Sequence, residues 1–95
     1  MSIRPNRVAV DNEGSRFYTI IEVFSYDFNR LLYNVTDAIS HLGLNITVSK
    51  IATKVDQVVD IFYVRDENEA KMDDPAAVDQ IKKEILAILP AQTNE

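Results

Sequence analysis

Two segments of this chain, RFYTIIEVFS (16–25) and QVVDIFYVRD (57–66), are apolar or aromatic at most positions. A strand wetted on one face alternates apolar with polar residues, and these segments barely do. Their β-branched and aromatic content suits strand rather than helix. Both therefore belong in the middle of a sheet, and the remaining chain must supply their neighbours and their cover.

The neighbours are legible. RVAVDN (7–12) reads as a short strand, and Asn12-Glu13-Gly14-Ser15 as a turn that lets it pair with the segment after it. NITVSKIAT (45–53) reads as another strand, joined to QVVDIFYVRD by a turn at Lys54–Gln57. Between these pairs, Leu31, Leu32, Val35, Ile39 and Leu42 follow the three-four spacing of one helix face. Asp27 stands where an N-cap belongs, and Gly43 where a helix ends. A second helix starts at Asp74-Pro75, turns Val78, Ile81, Ile85 and Ile88 or Leu89 inward, and stops at Pro90. Asp79 and Lys83 pair along its surface.

The order is β-β-α-β-β-α. A right-handed split crossover places the fourth strand between the second and third, so the predicted sheet order is 1-2-4-3. Both helices lie on one face. The expected fold is an α+β, ferredoxin-like two-layer sandwich whose usual C-terminal edge strand is replaced by one from the N-terminus. The 95 residues make one domain, 1–95, with a core over 7–89 and tails at 1–6 and 90–95.

Side-chain alternation divides the central strands into two faces. In the second strand Phe17, Thr19, Ile21 and Val23 oppose Tyr18, Ile20, Glu22 and Phe24; in the fourth, Val59, Ile61 and Tyr63 oppose Val58, Asp60, Phe62 and Val64. Glu22 and Asp60 are the acids in these rows, so they mark the face away from the helices. That face then also carries Tyr18, Ile20, Phe24, Val58 and Phe62, an apolar patch expected to meet a partner.

The net charge of −5 and pI near 4.7 argue against nucleic acid or an anionic membrane as partner. There is no cysteine, hence no disulfide or thiolate chemistry, and no apolar run long enough to span a bilayer. A cytoplasmic setting is the expectation. His41 projects from the polar side of the first helix with no metal-ligand company. The acids of RDENEAKMDD lack EF-hand spacing. No nucleophile or phosphate-cradling loop accompanies Glu22 and Asp60, so neither catalysis nor a metal or cofactor is expected.

One further junction has chemistry. The turn from the second strand into the first helix offers backbone N–H groups at the positive end of the helix dipole, where a carboxylate binds. Asp27 could hold an ammonium group there, and Asn45, read as entering the third strand nearby, is both donor and acceptor.

The segment DFNRLLYNVTDAISHLGLNI resembles the regulatory ACT domain, whose pattern is D-R-P-G-L-L, a helix, and G-L-[DN]-I. VDNEGSRFYTIIEV, KIATKVDQVVDIFYVRD and KMDDP are similar to the C-terminal ACT domain of the bifunctional uridylyltransferase that modifies the PII nitrogen-signalling protein. The likeness covers residues 8–89. It implies a non-catalytic regulatory domain that forms a homodimer or pairs with another ACT domain and senses an amino acid, glutamine being favoured. The family's ligand contacts fall here on Ser25, Asp27, Asn29, Arg30 and Leu31, with Asn45 and Ile46 across from them. Asn29 replaces the pattern's Pro and Arg30 its Gly, which implies a weakened site. Two further pattern glycines are replaced, by Val55 and Glu69. The other reading is a pure protein–protein interaction module without a small-molecule ligand.

Overall fold

The computed structural model describes residues 6–25, 31–54 and 57–89. Six elements run in the order β1 (Arg7–Asp11), β2 (Thr19–Ser25), α1 (Leu31–His41), β3 (Asn45–Lys54), β4 (Gln57–Arg65) and α2 (Pro75–Ile88). The strands form one antiparallel sheet in the order β1-β2-β4-β3. This is the expected ferredoxin-like sandwich with its leading strand at one edge.

The helices end where local chemistry stops them. Gly43 takes φ +78°, which a residue without Cβ adopts freely, and its N–H donates to the Ser40 carbonyl. At the start of α2 the Asp74 carboxylate accepts from the Ala77 N–H at 3.1 Å, with Pro75 as first helical residue. The helical capping position of Asp27 lies outside the described residues. Glu69 is held at φ +59°, a conformation unfavourable for a residue with Cβ. The Asp66 carboxylate tightens that turn by accepting from the N–H groups of Asn68 and Ala70.

β2 begins three residues later than its apolar run suggests. Asp11 and Ser15 explain this. The Asp11 carboxylate accepts from the N–H groups of Glu13 and Gly14, and the Ser15 hydroxyl accepts from those of Phe17 and Tyr18. These side chains compete with a sheet ladder for the backbone donors. Phe17 consequently leaves the sheet and is 63% exposed. The connection is then clasped to the crossing segment before α2. The Thr19 hydroxyl donates to Asn12 Oδ1 at 2.6 Å and accepts from the Met72 N–H at 2.8 Å. Asn12 Nδ2 donates to the Met72 carbonyl, and Lys71 Nζ to the Asn12 carbonyl.

The core lies between the sheet and the helices: Val8, Ile21 and Val23 from β1 and β2, Phe62 and Val64 from β4, Val35, Ile39 and Leu44 from around α1, and Ile81, Ile85 and Leu89 from α2. Leu89, not Ile88, closes the α2 stripe; Ile88 is exposed.

The register corrects one expectation. Ile21 pairs with Phe62, Val23 with Asp60 and Ser25 with Val58, whereas Glu22 pairs with Ile61 and Phe24 with Val59. Since Ile21, Val23 and Phe62 are core, Val58, Asp60 and Phe62 share the helix-side face. The outer face carries Tyr18, Ile20, Glu22 and Phe24 with Val59, Ile61 and Tyr63. The two acids used to mark the wet side thus point to opposite sides. Asp60 misled the assignment because a carboxylate there is buried.

Phe62→Ala is expected to destabilise the fold by about 3–5 kcal/mol in urea titrations, as a large core truncation does. Phe62→Lys is expected to abolish cooperative unfolding rather than leave a folded monomer.

Candidate functional site

The antiparallel order separates the expected ligand contacts. Ser25 ends β2 and is buried; across β4 it shares a row with Val58 and Thr53. Leu31 opens α1 at that same end of the sheet. Asn45 starts β3 opposite Arg65, and Ile46 opposite Val64, at the other end. The rows of Val58 and Arg65 lie seven residues apart along β4, roughly 23 Å at strand rise. One chain therefore does not gather Ser25 and Asn45 into a single pocket, which corrects the expectation that Asn45 enters beside the β2–α1 junction. Asp27, Asn29 and Arg30 fall outside the described residues.

At the Ser25 end the helix-side face holds a group that the sequence reading placed on the opposite side. Asp60 is 3% exposed. Its strand partners are Val23 and Ile51, and Val58 and Phe62 stand two residues either way along β4. Among the described residues its carboxyl has no hydrogen bond and no ion pair. Desolvation holds its carboxyl above the ordinary Asp value. An acid midway along an apolar strand is the sequence signal for such a group.

Neither α1 nor α2 lies over the outer face, yet much of it is covered. The Arg7 guanidinium lies 3.9 Å from the Phe24 ring centroid, Arg65 lies 4.8 Å from that of Tyr18, and Lys50 lies 5.2 Å from that of Tyr63. Tyr18 and Tyr63 meet edge to face. Long cationic side chains shield apolar surface while their charged ends stay wet. Phe24 is buried under Arg7 and Tyr18 is half-buried; Ile20, also buried, lies against the Asp11–Gly14 turn. Of the expected interface residues, Tyr18, Ile20 and Phe24 are on this face; Val58 and Phe62 are on the other.

A more open apolar surface runs along β3, the sheet's second edge. Ile51 is 60% exposed and Val48 41%. The strand is ten residues long and has β4 on one side only. A register shift between Ile46 and Val48 marks a bulge near its start.

The remaining constellations are surface features. His41 is exposed, with Nδ1 2.8 Å from the Asp37 carbonyl. Lys83 and Asp79 pair at 2.9 Å on the exposed side of α2. Among the described residues no cluster of His, Cys, Asp or Glu could hold a metal ion, and no helix is long and apolar enough to cross a membrane.

Comparison with known proteins adds a family. The model of the N-terminal ACT domain of the ACR family matches residues 15–91. Curated relatives include bifunctional uridylyltransferase/uridylyl-removing enzymes. That of a Bradyrhizobium species is 38% identical over 91 residues, 96% of this chain and 10% of the relative. Those of Gluconobacter oxydans and Cereibacter sphaeroides are 40% identical over 85 residues and 48% over 62, covering 90% and 65% of this chain and 9% and 7% of the relatives. The chain spans about a tenth of the length of these relatives. No solved structure matches it.

The state of Asp60 is measurable through stability. Its folded-state affinity for a proton exceeds the unfolded value of about 3.8. Its favourable contribution is therefore complete below that value and is lost as pH rises through the raised one. Asp60→Asn is expected to be more stable than the parent at pH 7, by about 1 kcal/mol. The difference should close near pH 3 in thermal melts.

Proposed function

This chain belongs to the ACT-domain family, and from that premise we propose that it is a non-catalytic regulatory module that pairs with a second ACT domain and binds an amino acid at a site the pair completes. Another copy of the same chain is the proposed partner, glutamine the favoured ligand, and the cytoplasm the setting. The free edge of β3 carries the pairing.

An unpaired ten-residue edge presents backbone donors and acceptors that a second strand satisfies. Two copies of β3 placed antiparallel about a two-fold axis would extend the sheet across both chains. Exposed Val48 and Ile51 would be covered along that seam. The same arrangement sets the first residue of one β3 beside the last residue of the other. Asn45 and Ile46 of one copy then come to the end of the sheet where the other holds Ser25, Asp60 and the start of α1. The separation of the ligand contacts within one chain thus favours a site built by two. Asn29 and Arg30, in place of Pro and Gly, favour weak binding: Arg30 adds volume and a charge repelled by the helix's positive end.

A second reading keeps the pairing and drops the ligand. The outer face supports it, since neither α1 nor α2 covers Tyr18, Ile61 or Tyr63 there. As a domain alone, the chain is expected to turn over no nucleotide.

Sedimentation equilibrium is expected to show a dimer that Ile51→Lys together with Val48→Asp converts to folded monomer. Calorimetry is expected to show heat with glutamine that Asn45→Ala, Asp27→Ala and the monomeric variant all lose, and that Arg30→Gly strengthens. A dimer silent towards every amino acid would favour the interaction module. A monomer at millimolar concentration would remove both readings.

A further inference from the structure

Asp60 does no work in the fold that its surroundings would explain. A carboxylate 3% exposed, between Val23 and Ile51 across the sheet and between Val58 and Phe62 along it, gains nothing from its neighbours. An unpaired charge in such a place is costly, and an apolar side chain would fill it at less expense. The described part of the helix-side face offers it no cation: β2 contributes Thr19, Ile21, Val23 and Ser25 there, and β3 contributes Ser49, Ile51 and Thr53.

Among the described residues of the flanking strands, the polar side chains on the Asp60 face are hydroxyls. Thr53 pairs with Val58 and is therefore a diagonal neighbour of Asp60 across the β3–β4 ladder, roughly 7–8 Å away. Ser25 is its diagonal neighbour across β2–β4. Thr53 and Ile51, towards the β3 edge, are exposed, whereas Asp60 itself is buried, with Val23 and Phe62 on its inner side.

We propose that Asp60, with the Thr53 hydroxyl one row away, seats the ammonium group of the amino-acid ligand. An ammonium group carries a full charge and three donors in a compact head. It can therefore meet a carboxylate and still donate to a hydroxyl several ångströms to the side. A guanidinium is broader and planar and matches a carboxylate through both oxygens, which leaves the hydroxyl unused. A divalent cation needs several oxygen ligands, and the described residues assemble no such set here. The ligand's carboxylate is then free to point to the N-terminal end of α1, the complementary pole. A bound ammonium group would lower the proton affinity of the Asp60 carboxyl, because a neighbouring cation favours the ionised form.

This inference rests on the amino-acid reading above and adds to it the group that recognises the amine. It is tested by titrating glutamine into the dimeric protein and into D60N, D60E and T53V, alongside 4-carbamoylbutanoate, which is glutamine without its α-amino group. D60N is expected to lose at least tenfold in glutamine affinity and T53V less. Parent and D60N are expected to bind 4-carbamoylbutanoate equally weakly. The carbon resonance of the Asp60 carboxyl should titrate at lower pH with glutamine present than without it. Thermal melts at pH 7 establish that D60N is folded, so its loss of binding cannot be ascribed to collapse. Equal glutamine affinity in parent and D60N, or an Asp60 titration that saturating glutamine leaves unmoved, overturns the ammonium seat and leaves the sensing reading intact. Absence of heat with every amino acid in the parent overturns both.

Discussion

The pairing of β2 with β4 is the constraint from which the rest of the molecule follows. It sets Ile21 against Phe62 and Val23 against Asp60 on one side, and Glu22 against Ile61 on the other. The first pairing gives the helices an apolar floor, and Val35, Ile39, Ile81 and Ile85 pack onto it. A one-residue slip would exchange the faces of one strand and put Ile61 and Tyr63 beneath the helices. The clasp of Thr19, Asn12 and Met72 sits at one end of this pairing and ties β1 and the crossing segment to it. Being fully buried, Thr19 has to spend its hydroxyl on such a network.

Most of the architecture was legible because it depends on local and periodic signals. Gly43, Asp74, Pro75 and the three-four spacing of both helices fixed the elements, and the split crossover left one strand order consistent with them. The family was legible too, since its blocks lie in those same elements. What failed was the parity of β4. Alternation separates two sets of residues but does not say which set faces the helices; a marker is needed, and charge marks the wet side only where the acid is exposed. Glu22 obeyed the rule that acids face water, and Asp60 did not. The placement of Asn45 beside the β2–α1 junction failed differently: β3 runs antiparallel to β4, so its first residue lies opposite Arg65, at the far end of the sheet from Ser25.

The outer face teaches a related point about reading hydrophobicity. Its residues looked too apolar to be left wet, but Arg7, Lys50 and Arg65 come from neighbouring strands and lie across Phe24, Tyr63 and Tyr18. The covering groups are invisible in the pattern of any single strand, because pairing brings them there. The larger exposed residues of the sheet collect instead on β3, where the sheet runs out of neighbours.

The two margins of the sheet are unequal. β3 offers ten residues and β1 only five, and the side chains that begin and end β1, Arg7 and Asp11, are occupied with Phe24 and with the turn that follows. If two copies join along β3, the composite sheet terminates at both ends in the short, charged margin. Growth by strand addition then has nowhere favourable to continue, so the geometry closes at two and resists becoming a fibre.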